Sequence, residues 1–170
     1  MMSDEKAVTE PKEDYAWYVY ELAWILPSVA LPVGMLAALL VTSFGSGIHL
    51  PGDSGRVEMS KISSTAPFDK PGLVQLSPGH YEARYIGQIW AFTPAEIHVP
   101  VGSTVTFVAT SRDVVHGFYI HGANVNMMLV PGQVSRLTTH FDKAGEYQVL
   151  CHEYCGIAHH TMYGRVIVDP

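Results

Sequence analysis

Near its C-terminal end the chain reads YQVLCHEYCGIAHHTMYGRVIV, Tyr147 to Val168. The ends of this stretch, Tyr147 to Leu150 and Tyr163 to Val168, are short β-prone runs of the kind that pair as neighbouring strands. Between them lies Cys151-His152-Glu153-Tyr154-Cys155-Gly156-Ile157-Ala158-His159-His160-Thr161-Met162, which compresses to C-x-E-x-C-x3-H-x2-M. Two thiols, an imidazole and a thioether in one loop make a soft ligand set. Such a set selects copper or a related thiophile over magnesium or calcium.

Outward from this loop, further short β-prone runs recur at hairpin-like spacing: His80 to Trp90, Glu96 to Pro100, Thr104 to Thr110, Gly117 to Ile120, Val125 to Val130 and Ser135 to Phe141. Val101-Gly102-Ser103, Pro131-Gly132 and Lys143-Ala144-Gly145 punctuate them as turns. Thr104-Val105-Thr106-Phe107 alternates with period two, as a strand buried on one face does. No helical pattern intervenes, so the region predicts a β-sandwich or barrel. His116, in Asp113-Val114-Val115-His116-Gly117-Phe118, stands where an earlier strand can carry it to the loop's end of such a sandwich.

Residues 45–79 are rich in Gly, Ser and Pro and predict a linker, with room for some packed loop. Before them, Leu22 to Gly52 holds no Asp, Glu, Lys or Arg, and its apolar centre is Leu22 to Phe44. A membrane helix needs about 20 apolar residues, so residues 22–44 predict one span, with 1–21 as a tail and helix start. Pro27 and Pro32 are tolerated in a membrane helix. Tyr15, Trp17, Tyr18, Tyr20 and Trp24 form an interfacial aromatic belt. A cleaved signal peptide fits less well, given the acidic lead-in and the lack of an A-x-A site after the run. Lys6 and Lys12 against Arg56 and Lys61 leave the orientation open.

Composition agrees with this division. The chain has 170 residues, of which 48% are apolar and 15% charged, with nine His, two Cys and a net charge of −6. An acidic balance excludes an electrostatic nucleic-acid binder, and two cysteines exclude a disulfide-dense scaffold. Residues 1–21 carry net −4 and residues 80–170 only −2, so the β domain is nearly neutral.

The ligand set has rival readings. Cys151 and Cys155 can close a small disulfide, but that leaves Met162 and the histidines without a role. Structural zinc prefers Cys and His without Met. A blue copper site uses one Cys, two His and a weak Met, leaving one cysteine over. Two thiolates bridging two coppers employ the whole set.

Residues 113–162 resemble the binuclear copper (CuA) domain of subunit II of haem–copper cytochrome c oxidases. The matching stretches are D-V-V-H-G-F, N-V-N-M-M-L-V-P-G-Q-V-S, G-E-Y and C-H-E-Y-C-G. The whole chain, with one span and a short soluble domain, is similar to the B-type branch. The resemblance implies a mainly β chain: a cupredoxin-like Greek-key β-sandwich over residues 80–170 behind one N-terminal transmembrane helix. It implies that Cys151 and Cys155 bridge two copper ions and that His116 and His159 supply one imidazole each. Met162 and the backbone carbonyl of Glu153 would be the weak ligands. His152 and His160 flank ligand positions without matching them. A magnesium ion at the contact with subunit I is also implied, held in part by the Glu153 carboxylate, an acid that B-type relatives often lack.

Three residues carry two readings each. Asp113 is an acceptor behind a ligand or a loop cap. Glu21, in Tyr20-Glu21-x-x-Trp24, lies near the mouth of a proton path shared with subunit I or marks the membrane boundary. Trp90 sits by the metal near donor docking or packs at a strand end. The implied function is to take single electrons from a reduced cytochrome c or small copper protein and pass them to the haem of subunit I, where oxygen is reduced and protons are pumped. Subunit I, the donor and membrane lipid are the implied partners. A soluble donor places the copper domain on the outer face of the cell membrane and the N-terminus in the cytoplasm. Two other classes compete: a quinol oxidase subunit II, which has lost these ligands, and a membrane-anchored copper-delivery protein, which needs exposed, exchangeable ones.

Overall fold

The computed structural model describes residues 15–45 and 52–170, so most of the expected tail over residues 1–21 lies outside it. Among the described residues one α-helix, α1, runs from Ala16 to Gly45. At 1.5 Å per residue its 30 residues reach about 45 Å, longer than the ~30 Å hydrocarbon layer. None of its side chains is buried within the chain, although its mean hydropathy is 2.1 over the most apolar window. Such a surface is stable in lipid and not in water, and α1 is a candidate membrane span on those grounds. Pro27 and Pro32 lie inside it. The Ser28 hydroxyl donates to the Trp24 carbonyl at 2.6 Å and the Thr42 hydroxyl to the Ala38 carbonyl at 2.8 Å. A helix in lipid must keep its polar groups satisfied internally in this way.

The rest of the described chain is a sandwich of two sheets. The strands are β1 (Gly52–Arg56), β2 (Gly72–Ser77), β3 (His80–Gln88), β4 (Ala91–Thr93), β5 (Glu96–Pro100), β6 (Ser103–Ser111), β7 (His116–Ile120), β8 (Val125–Leu129), β9 (Gln133–Phe141), β10 (Gly145–Leu150) and β11 (Tyr163–Asp169). One sheet has the order β1-β9-β6-β3-β2, with β4 taking over from β2 along the second half of β3. The other has the order β5-β11-β10-β7-β8. β3 pairs in parallel with β6, and β5 with β11. Such pairs require crossovers, and together with the antiparallel hairpins they give the cupredoxin-like Greek-key sandwich that the resemblance implied.

Period-two alternation puts Val105, Phe107 and Ala109 of β6 inward against Phe118, Ile120, Val166 and Val168. Phe118 is the hub, with ring centroids 4.9 Å from Tyr85, 5.3 Å from Phe92 and 5.8 Å from Phe107. Edge-to-face packing of this kind stabilises a core beyond its area alone.

The linker expected over residues 45–79 is corrected by the structure from Gly52 onward. β1 pairs with β9 and β2 with β3, while Met59–Ser64 forms a 3-10 turn. Val57, Ile62 and Phe68 from this segment pack on Ile86, Val108 and Val134 in a second small core. That is why Val108 is buried although it alternates away from Phe107: this sheet has apolar cover on both faces. The segment is a strap, not a linker. Its three apolar contacts are irregularly spaced among Gly, Ser and Pro, so no period betrays them.

Candidate metal centre

The ligand loop leaves β10 after Leu150 and returns at Tyr163, and these two residues are direct partners across the β10–β11 pair. Its base is closed by the Cys151 amide donating to the Met162 carbonyl at 3.3 Å. Inside, the His159 amide bonds the Gly156 carbonyl and the Thr161 amide the Ala158 carbonyl, coiling residues 159–161 into a 3-10 turn. β7 pairs with β10 through Tyr119 and Leu150, which brings His116, the first residue of β7, to the loop.

The side chains converge in one cluster. The Cys151 and Cys155 sulfurs are 3.8 Å apart, far beyond the ~2.05 Å of a disulfide, and both cysteines are free. His116 Nδ1 is 3.9 Å from Cys151 Sγ, and His159 Nδ1 is 3.5 Å from Cys155 Sγ. Met162 Sδ is 3.7 Å from Cys155 Sγ, and the Glu153 carbonyl oxygen is 3.2 Å from Cys151 Sγ. His116, Cys151, Cys155 and Met162 are buried, and His159 is half-buried. Among the described residues, one imidazole nitrogen of His116 and the sulfurs of Cys151 and Cys155 all lie within 4.8 Å of one another, close enough to share an ion. Burial, with the neighbouring Cys151 thiol adding to it, pushes the Cys155 thiol up to about 11, so an incoming metal must displace its proton.

His116 is held from behind. Its Nε2 lies 2.8 Å from Asp113 Oδ1, and a proton there leaves the Nδ1 lone pair facing the sulfurs. The same carboxylate accepts the Ile89 amide at 2.6 Å and the Val114 amide at 2.7 Å. Partial burial pushes the Asp113 carboxyl up, but the bonds from His116, Ile89 and Val114 outweigh it and leave the group below its ordinary value. Asp113 therefore caps the loop and orients the imidazole together.

The remaining residues singled out from the sequence fall around this cluster. Trp90 donates its ring N–H to the Cys155 carbonyl at 3.2 Å. It lies over Gly156, where a methyl group would stand 3.2 Å from that nitrogen. His152 turns away: its Nε2 is 2.8 Å from Asn126 Oδ1, and a side chain at Gly117 would run into its ring. His160 is exposed. The Glu153 carboxylate is not in a ligand group with other acids among the described residues. Asn126, Gly117 and Gly156 escaped the sequence reading, since their partners are distant in the chain and no local pattern links them.

The donor set is thiolate, imidazole and thioether, enclosed and converging. Its chemistry fits copper and is too soft for magnesium or calcium.

The family described as "Cytochrome C oxidase subunit II, periplasmic domain" matches residues 87–169. The chain is 32% identical to a cytochrome c oxidase subunit 2 of Thermus thermophilus over 165 residues, covering 95% of this chain and 98% of that one. It is 32% identical to an alternative cytochrome c oxidase subunit 2 of Bradyrhizobium diazoefficiens over 71% of this chain and 42% of that longer protein. Among solved structures, a chain of a haem–copper terminal oxidase dimer, determined by cryo-electron microscopy, superposes with a TM-score of 0.73. It shares 35% identity and covers 88% of this chain and 99% of its own.

Proposed function

This chain belongs to the cytochrome c oxidase subunit II family, and on that premise we propose that it is the electron-accepting subunit of a B-type haem–copper oxidase. It takes single electrons from a reduced cytochrome c or small copper protein at a binuclear copper centre. It delivers them to the haem of subunit I, where oxygen reduction drives proton pumping. The observation that supports this reading best is the convergence of six groups from one loop and one distant strand: His116, Cys151, the Glu153 carbonyl, Cys155, His159 and Met162.

Cys151 and Cys155 would bridge the two ions, His116 and His159 would hold one each, and Met162 and the Glu153 carbonyl would be the weak ligands. Copper bound by these residues would supply one-electron exchange, with the unpaired electron spread over both ions and little rearrangement on reduction. The protein's part is to hold the donors still. β10 and β11 clamp the loop ends, Asp113 fixes the His116 ring, and Trp90 is bonded to the Cys155 carbonyl. Burial of the sulfurs excludes water and tunes the potential. The half-buried Glu153 carboxylate would be this chain's contribution to a magnesium ion at the subunit I contact. The helix would lie in lipid with the N-terminus cytoplasmic and the copper domain outside, facing the donor.

Rapid mixing of the assembled oxidase with reduced cytochrome c tests the reading. Loss of the oxidised copper absorption ahead of haem reduction supports it. Equally fast haem reduction in copper-depleted complex contradicts it.

A further inference from the structure

A cavity of about 300 Å³ opens beside the ligand loop. Its lining includes three groups of the metal cluster, Cys151, His159 and Met162, together with Gln148, His160 and Tyr163. The members differ in exposure: Cys151 and Met162 are buried, His159 is half-buried, and Gln148, His160 and Tyr163 face solvent. Of the exposed three, His160 alone carries a donor suited to a cuprous ion, since amide and phenol oxygens are hard. Away from the cavity, His116 is fully buried and Trp90 lies over Gly156 beside Cys155.

We propose that this cavity is the route by which copper reaches the buried site, and that His160 is the transient first ligand. Resting on the copper-site reading above, this assigns a role to a residue outside the final ligand set. The steps run along a gradient of burial and softness: the exposed His160 imidazole, the half-buried His159 beside it on the same 3-10 turn, then Met162 and the two sulfurs. Each step is ligand exchange on a cuprous ion, with no change of oxidation state. Each thiol releases its proton to solvent as it binds.

The test uses the full chain in detergent, metal-free, reduced and anaerobic, mixed with cuprous ion supplied as its acetonitrile complex. Uptake is timed by competition with a coloured cuprous chelator, and copper per chain is counted at the end. His160→Gln is expected to slow uptake roughly tenfold, the equivalent of about 1.4 kcal/mol in the barrier, while reaching the same final copper content and, after one-electron oxidation of the loaded protein with ferricyanide, the same spectrum. His160→Met, which restores a soft donor, is expected to recover the rate. His152→Gln, an exposed loop histidine outside the cavity, is expected to load like the unmodified chain. An unchanged rate in His160→Gln, or equal slowing in His152→Gln, overturns the route. A final content of one copper in the unmodified chain instead overturns the binuclear reading, whatever the rates.

Discussion

Asp113 Oδ1 lies 2.8 Å from Nε2 of the buried His116, while the opposite ring nitrogen faces the Cys151 sulfur. One carboxylate thus sets both the tautomer and the tilt of the imidazole. Asp113→Asn keeps the shape but loses the charge. It is expected to weaken metal binding by roughly ten- to a hundredfold and to shift the absorption of the loaded protein. Unchanged affinity and spectrum would reduce Asp113 to a loop cap.

Gly156 combines a φ of +117°, which L side chains rarely adopt, with the close approach of Trp90. Gly156→Ala is expected to destabilise the domain by about 1–3 kcal/mol through backbone strain and to red-shift Trp90 emission as the ring is pushed toward water. Denaturant unfolding and fluorescence read the two effects. Unaltered stability would mean that the loop can relax without the glycine.

The strap over residues 52–77 carries part of the folding energy. Phe68 is 1% exposed and packs with Ile62, Ile86 and Val108. Phe68→Ala is expected to cost about 3–5 kcal/mol, as deletions of buried aromatic side chains do. A flexible linker in the same place would lose almost nothing. Unfolding midpoints of the two proteins separate these cases.

This strap carries no local signature in the sequence. The alternation in β6, the turns around it and the loop between β10 and β11 were legible because each is a local pattern with a period or a spacing. Glu96–Pro100 emerges as a strand with the expected bounds, and His116 opens the next strand but one. Val57, Ile62 and Phe68 have no such period, and each finds its partners across the sheet. β4, only Ala91–Thr93, is too short to signal itself. At the site, the soft residues announced a metal. The bond from Trp90 to the Cys155 carbonyl, by contrast, spans 65 residues and leaves no local pattern, whereas Asp113, three residues from His116, was legible as a partner with two possible roles.

Acid stability has a defined source in Glu82. It is buried, and burial raises its pKa, but ion pairs with Arg84 at 2.9 Å and Arg136 at 3.0 Å outweigh this and leave it below 4.5. A group depressed in the folded state contributes stability that is fully present above its unfolded value and lost as pH falls through the lower folded value. Glu82→Gln is therefore expected to be less stable than the parent near neutral pH. The gap should close as pH drops below about 4.5. A gap independent of pH would contradict this assignment.

Electron uptake is expected to depend on apolar contact more than on charge. Residues 80–170 carry net −2, while Tyr154 and Ile157 on the ligand loop are 75% and 87% exposed. The uptake rate should be nearly insensitive to ionic strength, and Ile157→Glu should lower it. A steep fall with added salt would instead indicate electrostatic steering.

In the proposed centre Cys151 and Cys155 together hold two coppers. Copper analysis of the purified full chain, read together with its absorption spectrum, decides this. The expected result is two coppers per chain and a purple, mixed-valence spectrum that Cys155→Ser abolishes. One copper per chain with a blue single-site spectrum, or a spectrum unchanged in Cys155→Ser, would contradict it.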